Sequence, residues 1–388
     1  MTGRTTRVRR RHEDGLTIIE LMVSLLLSSM LSAGLFYLVS GQSKTYSAQL
    51  GSLVTQENLW GAMEYLQRQV RYAGYGGWGA CPNGVVNMYD GSGGTTASTL
   101  IPYRSYNNCN IFKRDPATCG SATDGTDSFT VTYDSDALTN GVGTVRIVDA
   151  MPSSSSILKV NGPGSFKQCD LLILYEPGTS KPCTVIQETQ DPQKTGNKWH
   201  IQHNPAGCDG IYNPPGGHNI FPTGGYGANA LVIRFGSTSS MPRHFAIDDT
   251  VNPPRLVTWS TRNANPSADK ANLEVVADNI EDLQLTWACD VNGNGLFEET
   301  PSSPTTDEWA YTATGDTAPA CGTAKTGQVR ITLVGRTTSA DTSNRTGFRP
   351  GAEDRAAGTV AQDLTASGQL GTYGRAVLRA TATPHNIR

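Results

Sequence analysis

Charged residues stop at Glu20 and do not return until Lys44. Between them lies the apolar run Leu21 to Val39, about 19 residues, which as a helix spans roughly 28 Å, close to one hydrocarbon core. Gly41-Gln42-Ser43-Lys44 marks emergence into water. Helical spacing then resumes: Tyr46, Leu50, Leu53, Val54, Trp60, Met63, Leu66 and Val70 are expected on one face, with Gln56, Glu57, Glu64 and Arg68 mostly elsewhere. No proline interrupts Leu16 to Arg71, which predicts one helix of about 55 residues, roughly 80 Å long. Gly34, Gly41, Gly51 and Gly61 each weaken it by about 1 kcal/mol relative to Ala, permitting a bend without requiring a break.

After Arg71-Tyr72-Ala73-Gly74 the helical pattern ends, and the body reads as β: Phe129 to Tyr133 alternates with period two. Strand-like segments fall at 129–133, 145–148, 157–160, 171–175, 183–187, 199–202, 230–235, 244–247, 256–259, 273–287, 329–334 and 376–383. Gly, Ser and Pro clusters separate them, and their spacing predicts antiparallel sheet in one large domain or two fused lobes around the helix. Two long Gly-, Pro-, Asn- and Thr-rich stretches, 203–228 and 337–372, read as surface loops, where partner contacts concentrate.

Ahead of the apolar run stand Arg4, Arg7, Arg9, Arg10 and Arg11, then Gly15-Leu16-Thr17-Ile18-Ile19-Glu20. A carboxylate inside lipid costs a few kcal/mol, so Glu20 is either a functional group or the snorkelling acid of an ordinary anchor. The arrangement resembles the processing site of type IV prepilins: a basic leader ending in Gly, a hydrophobic residue, and Glu at the fifth mature position. Major pilins usually carry Phe where this chain has Leu16. The resemblance implies that prepilin peptidase cuts between Gly15 and Leu16 and that the new amino terminus, Leu16, is methylated. It also implies that Glu20 pairs with a positively charged amino terminus, its own or a neighbour's, during assembly. Met63 to Gly77 (MEYLQRQVRYAGYGG) and the segment 278–285 are similar in wording to the PilW family of minor pilins. That likeness is clear over about the first 80 residues and patchy beyond.

Charge and cysteine usage bound the rest. The leader carries five Arg against Glu13 and Asp14, a net +3, so its removal takes the formal charge from −3 to −6. The basic end is expected to stay cytoplasmic and the remainder to cross. A mildly acidic exported body gives no support for nucleic-acid binding. All eight cysteines (81, 109, 119, 169, 183, 208, 289, 321) lie beyond the apolar run and none forms a CxxC pair, which points to disulfides in an oxidising compartment. Connectivity stays open; the local pairs Cys109 with Cys119 and Cys289 with Cys321 rank first. Cys169 with Cys183 fits poorly, because a hairpin through Pro177-Gly178 would set Cys183 near Leu174.

Two clusters invite a metal reading. Asp290, Asn292 and Asn294 with Gly295 follow the first half of an EF-hand-like calcium loop, which the backbone carbonyl of Leu296 and a carboxylate from Glu298 or Glu299 could extend. Position twelve, where the bidentate Glu belongs, is Pro301, and a plain Gly/Asn turn accounts for the same residues. His200, His203, His218 and Cys208 lie close in sequence, but His200 and His203 sit three apart on a strand and face opposite ways. No GxSxG, HExxH, P-loop or dinucleotide-binding pattern occurs, so no enzyme is expected and no cofactor beyond possible Ca2+.

The expectation is therefore an α+β, pilin-like chain: leader 1–15, transmembrane helix half 16–40, amphipathic helix half 41–72, and a β-rich, loop-rich, disulfide-bonded domain over 73–388. The resemblance implies a minor pilin that primes type IV pilus assembly at or near the tip. It would sit in the inner membrane, amino terminus cytoplasmic, and then in the surface pilus. Implied partners are prepilin peptidase, the inner-membrane assembly platform, other minor pilins, the major pilin and a tip-located adhesin. Small residues Ser28, Ser29, Ser32, Ala33 and Gly34 would allow close helix approach. A type II secretion pseudopilin shares the leader and Glu20, and a surface binding module using the helix only for export is a reading of a different class.

Overall fold

A computed structural model describes residues 17–76, 81, 86–89, 102–121, 124–134, 138, 143–154, 157–205, 207–208, 212–215, 219–237, 242–261, 265–270, 272–300, 307–311, 327–338, 348–350, 352–353, 358–359 and 373–385. One helix, α1 (Ile18–Tyr72), opens the chain. Strands follow as β1 (Val86–Asn87), β2 (Tyr103–Tyr106), β3 (Ser128–Val131), β4 (Thr144–Arg146), β5 (Leu158–Val160), β6 (Asp170–Tyr175) and β7 (Cys183–Gln187). Next come β8 (Gln190–Thr195), β9 (Lys198–Gln202), β10 (Leu231–Ser237), β11 (Arg243–Asp248), β12 (Arg255–Ser260) and β13 (Glu274–Asp278). The last are β14 (Ile280–Ala288), β15 (Trp309–Ala310), β16 (Gln328–Arg336), β17 (Phe348–Arg349), β18 (Gly358–Thr359) and β19 (Arg375–Ala382).

The chain divides into two compact units, 1–53 and 54–388. In the first, the apolar side chains of α1 are exposed, among them Leu21, Leu25, Leu31, Phe36 and Val39. Such a surface is stable in lipid or against other helices rather than in water, and α1 is long and apolar enough to cross a membrane.

In the second unit, Leu59, Met63, Leu66 and Val70 of α1 form one core with Phe129, Phe245, Leu256, Leu283, Leu285, Ile331 and Leu333. Each such fully buried side chain contributes about 1.5–3 kcal/mol. Two sheets supply that core, ordered β13-β12-β11-β3-β2 and β15-β14-β16-β19. Side chains of α1 fix the register: Thr55 Oγ1 donates to Arg336 O at 3.1 Å, Asn58 Nδ2 to Asp278 O at 3.2 Å, and Gln67 Nε2 to Thr381 O at 3.0 Å. Four residues past the end of the helix, Gly76, at φ 104°, passes so close to Asp134 that a Cβ would lie 2.5 Å from its Cβ.

The buried stripe differs from the expected one. It runs Thr55, Leu59, Ala62, Met63, Leu66, Gln69, Val70, while Trp60 is 65% exposed and Tyr46, Leu50, Leu53 and Val54 also face outward. Trp60 continues the spacing of Tyr46, Leu50 and Leu53, about 100° round the helix from the stripe through Leu59.

A second core, with Ile147, Leu158, Val160, Leu172, Leu174, Ile186 and Val232, joins the sheet β1-β7-β6-β10-β4 to the sheet β5-β9-β8. Among the described strands, pairing is antiparallel except for β1 on β7, where Val86 lies beside Cys183 in a parallel pair. Three disulfides are described: Cys81–Cys183, Cys109–Cys119 and Cys169–Cys208. Cys289 is also disulfide-bonded; Cys321 lies outside the described residues. The β6–β7 hairpin pairs Leu174 with Thr184, which leaves Cys183 free to meet Cys81.

Two buried ionisable groups set opposite pH responses. His244 sits in β11 with Nδ1 2.8 Å from Thr130 Oγ1, and burial lowers its pKa to about 4. Glu188, just after β7, has no solvent exposure. Burial raises it to about 9, with the nearby charges of Asp170 and Asp191 adding to the shift. The raised carboxyl contributes stability below its unfolded pKa, about 4.3, which is lost as pH climbs towards 9. The depressed imidazole contributes stability above about 6.5 that is lost as pH falls towards 4. Above about pH 6.5 the Glu188 response therefore stands alone, and thermal melts should show stability falling as pH rises. Glu188→Gln should remove that fall and uncover a loss on the acid side that the wild type masks. An unchanged alkaline slope in the variant would reject the assignment.

Candidate processing and assembly site

Thr17 is the N-cap of α1, and Glu20 is its partner three residues on. Glu20 Oε2 accepts from Thr17 N and from Thr17 Oγ1, both at 3.0 Å, while Glu20 N donates to Thr17 Oγ1 at 3.3 Å. Leu21 N donates to Thr17 O at 3.1 Å, the first intrahelical bond. This reciprocal capping box satisfies amides that would otherwise be orphaned, and the positive end of the helix dipole favours the carboxylate. The Thr17-x-x-Glu20 spacing was present in the sequence as a helix-start signal. Gly15 and Leu16 lie outside the described residues, and Leu16 immediately precedes the cap.

Beyond Glu20 two hydroxyls of the apolar run turn back on the helix. Ser24 Oγ donates to Leu21 O at 2.9 Å and Ser29 Oγ to Leu26 O at 2.8 Å. Satisfied internally, they cost little in hydrocarbon. Ser28, Ser32, Ala33 and Gly34 are exposed, and a Cβ on Gly34 would meet nothing within 4 Å.

The 290–298 loop follows β14 and folds on its own amides. Asp290 Oδ1 accepts from Gly293 N (2.6 Å) and Asn294 N (3.1 Å), and Oδ2 from Gly295 N (2.8 Å). Asn292 Oδ1 accepts from Asn294 N at 2.9 Å, and Asn294 Oδ1 from Leu296 N at 2.7 Å. A residue that sequence reasoning passed over, Glu308, holds the loop from outside: its carboxylate accepts from Val291 N (2.9 Å), Asn292 N (3.3 Å) and Glu298 N (3.0 Å). Nothing local marks Glu308, because β15 brings it to the loop. An ion here would have to share oxygens already turned onto backbone amides. Among the described residues no group of three or more His, Cys, Asp or Glu is placed to hold a metal. Cys208 is in a disulfide, His200 lies within β9, and His218 falls outside the described residues. Only parts of 203–228 and little of 337–372 are described.

The family model for the prokaryotic N-terminal methylation motif matches residues 10–36. No curated protein and no solved structure matches the chain. The motif, on an apolar helix followed by a disulfide-bonded β-rich body, marks a type IV pilin-like or pseudopilin protein. Membrane association and pilus-assembly partners follow in general terms.

Proposed function

We propose that the chain is a minor pilin of the PilW kind, cut after Gly15, methylated on Leu16, and used to prime type IV pilus assembly near the tip. The match at 10–36, together with the Thr17–Glu20 cap at the start of an exposed apolar helix, supports the processing part of this reading, and the wording of Met63 to Gly77 supports its PilW part. A body of this size, closed by three described disulfides, suits a subunit of low copy number rather than one repeated along a tight fibre. In this reading the body works by contact, with other minor pilins, the major pilin and a tip adhesin, and carries out no catalysis. Intact mass and amino-terminal sequence, from membranes with and without prepilin peptidase, test it first. Peptidase-dependent loss of residues 1–15 with methylated Leu16 is the expected result. An intact leader in both strains would reduce the chain to a single-span anchor. Recovery of the processed protein with sheared pili, and not with a secretion complex, is expected next.

A further inference from the structure

The three described disulfides differ in how a solvent thiolate can reach them. Cys81 and Cys183 are both buried. Cys109 is buried, and Cys119 packs half-buried against the cluster containing Phe112 and Trp259. Cys169 is half-buried and Cys208 is exposed. Thiol–disulfide exchange needs a thiolate at the attacked sulfur, so burial protects the first two pairs and leaves the third open.

The backbone separates the third pair again. Cys169 has φ 72° and Cys208 φ 51°, both in the left-handed region that non-glycine residues rarely occupy. Besides the bridge, Cys169 N donates to Glu188 O at 2.8 Å. Glu188 O also lies 3.6 Å from Cys208 Sγ. An oxidised sulfur has no proton to donate there, but a thiol does, so the reduced form finds its acceptor in place.

We propose that Cys169–Cys208 is a thiol-exchange site, taking an external thiolate at Cys208. The incoming sulfur bonds to Cys208 Sγ as the Cys208–Cys169 bond breaks, and Cys169 leaves as a thiolate that takes a proton from water. A monothiol gives this mixed disulfide first; a second equivalent can then attack it, leaving as its own disulfide while Cys208 departs as a thiolate. With a dithiol, the second thiolate displaces Cys208 in turn; the dithiol becomes a disulfide, and both cysteines end as thiols, two electrons having passed to the protein. The change is local. Asn213, buried, still ties its segment to β7, accepting from Gln187 N at 2.9 Å and donating to Gln187 O at 2.7 Å and Asn204 O at 3.2 Å. Gly207 packs so tightly that a Cβ would lie 2.1 Å from Thr189 Cγ2.

The test treats the full-length protein in detergent with reduced glutathione at about pH 8, quenches with acid, and maps cysteines by peptide mass spectrometry. The expected result is a glutathione adduct on Cys208 with Cys169 free, formed about tenfold or more faster than any change at Cys81–Cys183 or Cys109–Cys119, with circular dichroism unchanged. Dithiothreitol in parallel should give both thiols free and no adduct. An adduct appearing only after denaturant is added, or another cysteine reacting first, would overturn the proposal. This inference is independent of the assembly reading.

Discussion

Glu20→Ala should be cut and methylated like the wild type, yet fall about tenfold or more in the sheared-pilus fraction, a loss equivalent to about 1.4 kcal/mol or more per subunit inserted. Two roles meet at this carboxylate. As partner of Thr17 it closes the first turn of α1, with Oε2 3.0 Å from both Thr17 N and Thr17 Oγ1. As a charge in lipid it needs a cation, and the amino terminus created at Leu16 would lie one residue before the cap. Glu20→Gln tells these apart, since Gln can serve at the N3 position of a capping box but carries no charge. If charge governs incorporation, the Gln variant fails as the Ala variant does. If capping governs it, Gln incorporates like the wild type and Ala does not. Wild-type incorporation of Glu20→Ala would remove the carboxylate from the mechanism altogether.

The parts of this molecule that read easily from sequence are those set by short-range period. A proline-free run with helical spacing is sufficient to place α1, and short apolar runs such as Leu171 to Tyr175 and Leu256 to Trp259 fall inside observed strands. What escaped depends on long-range pairing. Strand β8 is polar, exposed and contains Pro192; its ladder slips between Gln190 and Gln193, where the missing amide is tolerated. Nothing in its composition signals a strand. Cys81 finds Cys183 across 102 residues, and Cys169 finds Cys208 across 39, because strand order and not spacing brings them together. The local pair Cys109–Cys119, only 10 apart, needed no topology. Trp60 shows the limit of periodicity itself: two overlapping stripes exist on one helix, and only the β-body decides which is buried. At the amino terminus the residues of the motif were legible, but the bond that orients Glu20 was visible only as a spacing.

The sheet β15-β14-β16-β19 carries the largest expected effect on stability. Glu281 is the extra residue of a bulge in β14, since the ladder to β16 shifts between Ile280 and Asp282. A bulge re-aims its side chain, here towards Arg375 at the start of β19. Arg375 Nε donates to Glu281 Oε1 at 2.6 Å and Nη2 to Oε2 at 3.2 Å, with both side chains at most 4% exposed. Forming such a pair offers little net gain, because desolvation opposes the Coulomb attraction; removing one member strands the other in a site of low polarity. Arg375→Met should therefore cost about 3–5 kcal/mol, while adding Glu281→Leu should restore most of it. Denaturant melts of the full chain in detergent, followed by tryptophan fluorescence, would give the complete double-mutant cycle. A coupling energy of about 2 kcal/mol or more is expected. If Arg375→Met melts within about 0.5 kcal/mol of wild type, the site is wet and the bulge holds β14 for some reason other than this pair.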